Sequence, residues 1–289
     1  MNNKILVTGA TGFFGYRIQK YLKEKDYQVL TPTRQEMNLL DRENIVDYIK
    51  REHPDYLIHC AAISDVVECE KDEASSHALN VEAVESVAMA CHSVGTKLIF
   101  CSSEQIYFEK KKEENGNKKD RVIPHKEEEE VIPGNLYGRQ KLTAEKICIK
   151  ICPDAVCLRL TWMYDVKQEL ENEHGNFYTN TKAALAQEQR CRFPIYDYRG
   201  ITNVWKVIEN LPRVFELPGG IYNFGAENSG STYDMMRHLF EKCGGNLEQL
   251  IENKDSFKDA PRNISMDTSK IKSYGIEFED TLQGLIRYW

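Results

Sequence analysis

The chain has 289 residues, 41% hydrophobic and 29% charged, which is the balance of a globular protein with apolar material for a large core. Its net charge of -7 argues against a general binder of nucleic acid or of anionic membranes, since either needs a basic face. An anionic ligand stays open, because a helix N-terminus or a local patch can hold phosphate in an acidic protein.

Nine cysteines are present: Cys60, Cys69, Cys91, Cys101, Cys148, Cys152, Cys157, Cys191 and Cys243. The count is odd, no pair has CxxC spacing and several lie in apolar runs. Buried thiols in a reducing compartment are expected, and a metal site is not. The few apolar residues after Lys4 are too short for a signal-peptide core. No run approaches the ~18 apolar residues of a membrane span. A cytoplasmic protein is expected, with no membrane or nucleic-acid partner.

In chain order, β-branched and aliphatic runs at 5–8, 28–31, 56–60 and 97–101 predict strands. Helical stretches at 15–25, 42–52 and 78–94 separate them. This alternation predicts an α/β fold with a Rossmann-type, doubly wound parallel sheet. The strands lack polar alternation, as when helices cover both faces. Between strand one and helix one stands Gly9-Ala10-Thr11-Gly12-Phe13-Phe14-Gly15. In a dinucleotide fold Gly9 turns the chain, Gly12 lets backbone approach a pyrophosphate and Gly15 packs helix on sheet. The helix N-terminus then meets the phosphates. After strand two the sequence reads Thr31-Pro32-Thr33-Arg34-Gln35-Glu36. Arg34 is placed for a 2′-phosphate, which favours NADP; Glu36 keeps NAD open. Arg34 as a plain surface arginine is the alternative.

Strand four runs into Ser102-Ser103-Glu104, at the carboxyl end where this fold binds ligands. Either serine could donate to a carbonyl oxygen, or simply cap a turn. Residues 108–133, with Lys110-Lys111-Lys112 and Glu127 to Glu130, read as a solvated excursion. A helix is expected from Leu136 to about Ile151, and a strand over 155–160. The helix carries Tyr137 and Lys141 at i and i+4, on one face. A phenol titrates near 10 when unperturbed. A nearby ammonium would pull it down and let Tyr137 act as acid or base at a carbonyl. Beyond Tyr164, short elements with Gly and Asn punctuation suggest a small substrate-capping region. The expected division is 1–160 for dinucleotide binding and 161–289 mainly for substrate, with segments returning to the first core.

These residues together resemble the extended short-chain dehydrogenase/reductases, and within them the dTDP-4-dehydrorhamnose reductase (RmlD-like) group. The resemblance covers nearly the whole chain. It rests on the glycine turn, His59-Cys60-Ala61-Ala62, Asn80-Val81, Ser102-Ser103-Glu104, Pro133 through Lys141, Leu158 through Tyr164, Gly175-Asn176-Phe177, Ala260-Pro261-Arg262-Asn263 and Met266 through Lys270. It implies that Ser103 is the catalytic hydroxyl, followed by an acid at Glu104 that tunes that hydroxyl or touches a sugar hydroxyl. Tyr137 is then the proton donor with Lys141 as helper, and Trp162 lies near the sugar. Cys60, Ala61 and Ala62 would line the cofactor channel, with Asn38 and Leu39 near the adenine. Asn38 stands where Asp is frequent, and Gly200-Ile201-Thr202 lacks a usual proline. The implied activity is reduction of a nucleotide-linked 4-keto-6-deoxy sugar by NADPH or NADH, in a possible homodimer. Arg159, Arg190, Arg192 and Arg199 are candidate cations for the nucleotide, most of them expected to be plain surface charges. A sugar-nucleotide epimerase or dehydratase is the enzymatic alternative. A non-catalytic NADP-binding regulatory subunit, like the one associated with methionine adenosyltransferase, is the other.

Overall fold

A computed structural model describes residues 3–109, 122–171 and 173–289. The chain forms two compact units. The first is drawn from three stretches of sequence: the start through Ser103, Asn135–Arg159 and Ile208–Tyr222. Its strands are β1 (Lys4–Thr8), β2 (Gln28–Leu30), β3 (Tyr56–His59), β4 (Lys97–Ser103), β5 (Val156–Leu160) and β6 (Gly220–Phe224). They make a six-stranded sheet in the order β6-β5-β4-β3-β1-β2. Parallel ladders join β1 to β2, β1 to β3 and β3 to β4. The strand order reverses beside β1, so the crevice for a ligand lies at the carboxyl ends of β1 and β3.

The helices follow from the apolar spacing. They are α1 (Phe13–Glu24), α2 (Arg42–Glu52), α3 (Val66–Lys71), α4 (Glu73–His77), α5 (Ala83–Val94) and α6 (Leu136–Ile151). Asp41 caps α2 by accepting from the Asn44 N–H, and Gly95 ends α5 in the left-handed region at φ 73°. Leu6, Leu57, Leu98 and Phe100 pack with residues of α2, α5 and α6 in one core. Their strand neighbours Ile5, Val7, Ile58 and Ile99 point the other way and are fully buried too. Both sheet faces are therefore covered, as the unalternating strands require.

Two details depart from the sequence reading. The helix expected over 78–94 starts as a π-helical turn, Ala78–Glu82, and α3 and α4 precede it. Strand β4 runs on to Ser103. The returning stretch is fastened to the sheet: Lys97 Nζ donates to the carbonyls of Phe215 (2.8 Å) and Leu217 (2.6 Å). Tyr56 stacks on Phe215 with ring centroids 4.3 Å apart.

The second unit comprises Glu104–Gly134, Leu160–Val207 and Asn223–Trp289. It holds short parallel pairs, such as Trp162–Tyr164 with Ile201–Asn203 and Cys191–Pro194 with Leu250–Asn253. Helices Phe177–Ala186, Thr232–Cys243 and Thr281–Ile286 contribute to a core of Tyr164, Phe177, Phe193, Met236, Leu239 and Phe240 among others. Among the described residues, no helix is long and apolar enough to cross a membrane.

Candidate active site

The glycine turn is shaped for an anion. Gly9 has φ +67°, and a Cβ there would lie 2.8 Å from the Ala61 nitrogen, so only glycine fits. A Cβ on Gly15 would sit 2.3 Å from the Gly9 carbonyl oxygen, which fixes how closely α1 meets the turn. A Cβ on Gly12 would meet nothing nearer than 3.5 Å; the space before the helix is open. Helix α1 has no capping side chain at Gly12 and no acid in its first turn. The N–H groups of Phe13, Phe14 and Gly15 are thus left for a ligand, with the positive end of the helix dipole behind them. Thr11 and Gly12 are exposed, while Phe13 and Phe14 are half-buried. Arg17, which sequence reasoning passed over, is fully buried one turn on; its guanidinium lies 4.1 Å over the Phe13 ring and Nη1 donates to the Phe13 carbonyl at 2.8 Å. The i, i+4 spacing from Phe13 was its only signal.

Beyond β2, Arg34 is exposed. Glu36 is occupied, accepting from Thr33 N (2.7 Å) and Thr33 Oγ1 (2.9 Å), and these bonds hold its pKa below the usual range. Asn38 shapes its own turn: its N–H donates to Asn44 Oδ1 at 2.5 Å and its Oδ1 accepts from Leu40 N at 3.1 Å. Leu39 packs against the core. At the end of β3, the Ala61 N–H donates to Thr8 Oγ1 at 3.3 Å, tying β3 to β1. The thiols of Cys60 and Cys101 are 3.5 Å apart, and Ala62 is half-buried. A glycine cradle, an open helix end without acids and an exposed arginine beyond β2 fit a phosphorylated dinucleotide.

The end of β4 meets helix α6. Ser103 and Tyr137 hydrogen-bond through their side chains. Ser102 points to the opposite face, where its hydroxyl is buried without a partner among the described residues. Only one of the two serines therefore reaches the tyrosine. Lys141 is buried; its Nζ donates to the Cys101 carbonyl at 2.8 Å and lies 4.7 Å over the Phe100 ring. The Tyr137 ring centroid is 5.7 Å from that nitrogen.

The start of α6 is pinned twice: Asn135 Oδ1 accepts from Gly138 N (2.7 Å) and Glu70 Oε1 from Leu136 N (2.9 Å). The π-helical turn supplies a third anchor, as such turns often do at functional sites. Asn80 on it donates to Gln140 Oε1 (2.8 Å) and to the Ile63 carbonyl (2.9 Å), and accepts from Ile63 N (2.9 Å). Gln140 in turn donates to Ser76 Oγ at 2.9 Å.

The electrostatics correct one expectation. Burial pushes the Tyr137 phenol above its ordinary pKa, with the Ser103 bond only partly opposing it. Burial likewise lowers Lys141, opposed in part by the nearby Cys101 and Cys60 thiols. The ammonium rests on a carbonyl and an aromatic face, so it does not pull the phenol down. Tyr137 is a neutral phenol at physiological pH, the form that gives a proton.

Glu104 and Trp162 belong to the second unit, where Arg199 links them. Arg199 forms an ion pair with Glu104 and lies 4.6 Å over the Trp162 ring. Sequence reasoning took most of four arginines for surface charges. Two are buried: Arg199, and Arg159, which is paired with Glu145 at 2.8 Å. Arg190 is exposed, and Arg192 is an exposed partner of Asp255. Within the charged excursion, 110–121 lie outside the described residues. The part from 122 on is tied down: the His125 ring stacks on Tyr107 at 4.7 Å, and buried Glu127 accepts from Asn223 N at 2.8 Å. Lys126 and Glu128 to Glu130 are nevertheless exposed, as their charge suggested. All nine cysteines are free thiols, six of them buried.

A family model described as the RmlD substrate binding domain matches residues 3–286. Methionine adenosyltransferase 2 subunit beta of Pongo abelii is 26% identical over 292 residues, covering 95% of this chain and 83% of that protein. A dTDP-4-dehydrorhamnose reductase of Mycolicibacterium smegmatis is 25% identical over 253 residues, 86% of this chain and 72% of that protein. The crystal structure of dTDP-4-dehydrorhamnose reductase from Bacillus anthracis in complex with NADP superposes with a TM-score of 0.82 at 19% identity, covering 100% of this chain and 99% of that one. This last likeness is one of fold.

Proposed function

The chain belongs to the RmlD substrate binding domain family, and we propose that within it this protein is an NADPH-dependent reductase of a nucleotide-linked 4-keto-6-deoxy sugar. The observation that carries the reading is the neutral Tyr137 phenol hydrogen-bonded to Ser103, with Lys141 on the same helix face. The glycine turn from Gly9 to Gly15 would hold the pyrophosphate of the dinucleotide, and Arg34 its 2′-phosphate. Glu36 is committed to Thr33, which supports NADP over NAD. Bound there, the reduced nicotinamide supplies a hydride. Ser103 donates a hydrogen bond to the sugar carbonyl oxygen and holds it against Tyr137. Tyr137 gives its proton to that oxygen as charge develops on it. Lys141, fixed by the Cys101 carbonyl, keeps a positive charge beside the proton donor.

The test is NADPH oxidation, followed by absorbance, with dTDP-4-keto-6-deoxyglucose alone and with its 3,5-epimerase. Tyr137→Phe should lose roughly 100-fold or more in rate while still binding NADPH. Turnover that collapses in the variant supports the reductase. A second reading, a non-catalytic cofactor-binding subunit, is favoured by the relatives named methionine adenosyltransferase 2 subunit beta. NADPH binding without oxidation of any keto sugar offered would select it.

A further inference from the structure

Burying an ion pair costs more than its attraction returns unless the remaining donors and acceptors are met. The pair of Glu104 and Arg199 lies within one unit and leaves that condition unfulfilled. Glu104 is 1% exposed and Arg199 8%. One carboxylate oxygen, Oε1, takes the Arg199 Nη2. The other, Oε2, and the Arg199 Nε are buried with no hydrogen-bond partner among the described residues. One bare acceptor and one bare donor therefore belong to the two halves of a single pair. The guanidinium lies against Trp162, whose indole is 40% exposed and held edge-on by Phe177 at 5.2 Å.

The loop carrying Arg199 is rigid. The Arg199 carbonyl accepts from Asn228 Nδ2 at 3.0 Å, and a Cβ on the next residue, Gly200, would fall 1.9 Å from the Ala226 carbonyl oxygen. The unmet atoms are thus preorganised rather than loosely placed.

We propose that Arg199 is a specificity-determining residue that, with Glu104, reads a ring hydroxyl of the hexose of a nucleotide-linked sugar lying on Trp162. A hydroxyl donates and accepts at once, so it is the kind of neutral group that suits a bare acceptor and a bare donor of one ion pair. A ligand carboxylate would meet the charge of Glu104, and a ligand ammonium that of Arg199; a neutral polyol meets neither. The exposed indole offers an apolar face to the C–H side of a sugar ring while excluding water from the pair. The inference rests on the sugar-nucleotide reading of the preceding section and adds what selects the sugar.

The test compares dTDP with dTDP-glucose by calorimetry, in the presence of saturating NADPH, for wild type, Arg199→Lys and Arg199→Met. The readout is the ratio of the two dissociation constants within each protein, with the melting temperature measured alongside. Wild type should bind dTDP-glucose roughly 10- to 100-fold more tightly than dTDP. In both variants that ratio should fall toward one. Arg199→Lys keeps a cation beside Glu104 but has no Nε–H, so it should regain melting temperature without regaining the ratio. A lysine variant that restores both, or a folded methionine variant that keeps the ratio, would make the pair merely structural and overturn the proposal. If NADPH binds but neither nucleotide does, UDP-glucose with UDP and GDP-mannose with GDP replace them. No hexose increment in any pair overturns the proposal, whereas keto-sugar turnover in the preceding assay would show the reductase reading still standing.

Discussion

At the residue scale, the site is governed by what burial does to three side chains. Tyr137 is raised, so cofactor-free protein should show no tyrosinate from it below pH 10. The check is the near-ultraviolet titration difference between wild type and Tyr137→Phe; a phenolate appearing near neutrality would contradict the proton-donor role given to it. Lys141 is lowered by burial, opposed in part by the Cys101 and Cys60 thiols. His59 is fully buried, with Nδ1 3.0 Å from Thr8 Oγ1, and desolvation, helped by the Lys141 charge, pushes its pKa down to about 3 from 6.5. Its sign is therefore acid-labile. Between those values the unfolded chain takes up a proton that the folded chain refuses. The contribution of His59 is complete above about pH 6.5 and is lost by about 1.4 kcal/mol per pH unit below it, down to about pH 3. Urea unfolding at pH 7.5, 6 and 5 should give a shallower slope for His59→Gln than for wild type; equal slopes would mean that the buried ring is charged.

At the element scale, α6 is the part on which the proposed chemistry depends, and its supports are polar. Gln140→Leu takes one partner each from the Asn80 amide and the Ser76 hydroxyl, and should cost about 1–3 kcal/mol while lowering kcat more than it raises KM. Glu145→Ala removes the carboxylate that pairs with buried Arg159 and should cost roughly 3–5 kcal/mol in denaturant unfolding. Adding Arg159→Met to a Glu145→Leu variant should recover most of that loss. These supports mark the limit of what the chain reveals in one dimension. The glycine turn, the alternation through β4 and the Tyr137–Lys141 spacing were legible because each is encoded within a few neighbouring residues. The π-helical turn was not, because apolar periodicity runs through it unbroken into α5. Glu104 was legible as the acid after Ser103, but its pairing with Arg199 was not, because 95 residues separate the partners and Arg199 stood among four arginines most of which were expected at the surface. Likewise Glu127 was legible only as part of an acidic run, and its bond to Asn223 could not be read.

At the scale of the whole molecule, each unit is assembled from separate stretches of chain. Ligand linkage follows from this at once: NADPH, bound to residues of the first unit at 100 times its dissociation constant, should add about 2.7 kcal/mol to that unit's stability. Scanning calorimetry with and without NADPH reads the shift, and no shift would mean that the dinucleotide does not bind the native protein. The fastening of Lys97 to the carbonyls of Phe215 and Leu217 has a meaning for biosynthesis too. A ribosome makes the chain from one end, and a strand made early must wait for a segment more than a hundred residues later. Until β6 has left the exit tunnel, β5 is a bare sheet edge, the kind of surface that chaperones cover and that otherwise aggregates. Stalled nascent chains ending near residue 200 should be digested readily by protease and captured by chaperones. In chains stalled far enough on for Phe224 to have emerged, the first unit should resist both. The protein is thus expected to spend most of its translation unfinished, its first half synthesised but not yet closed.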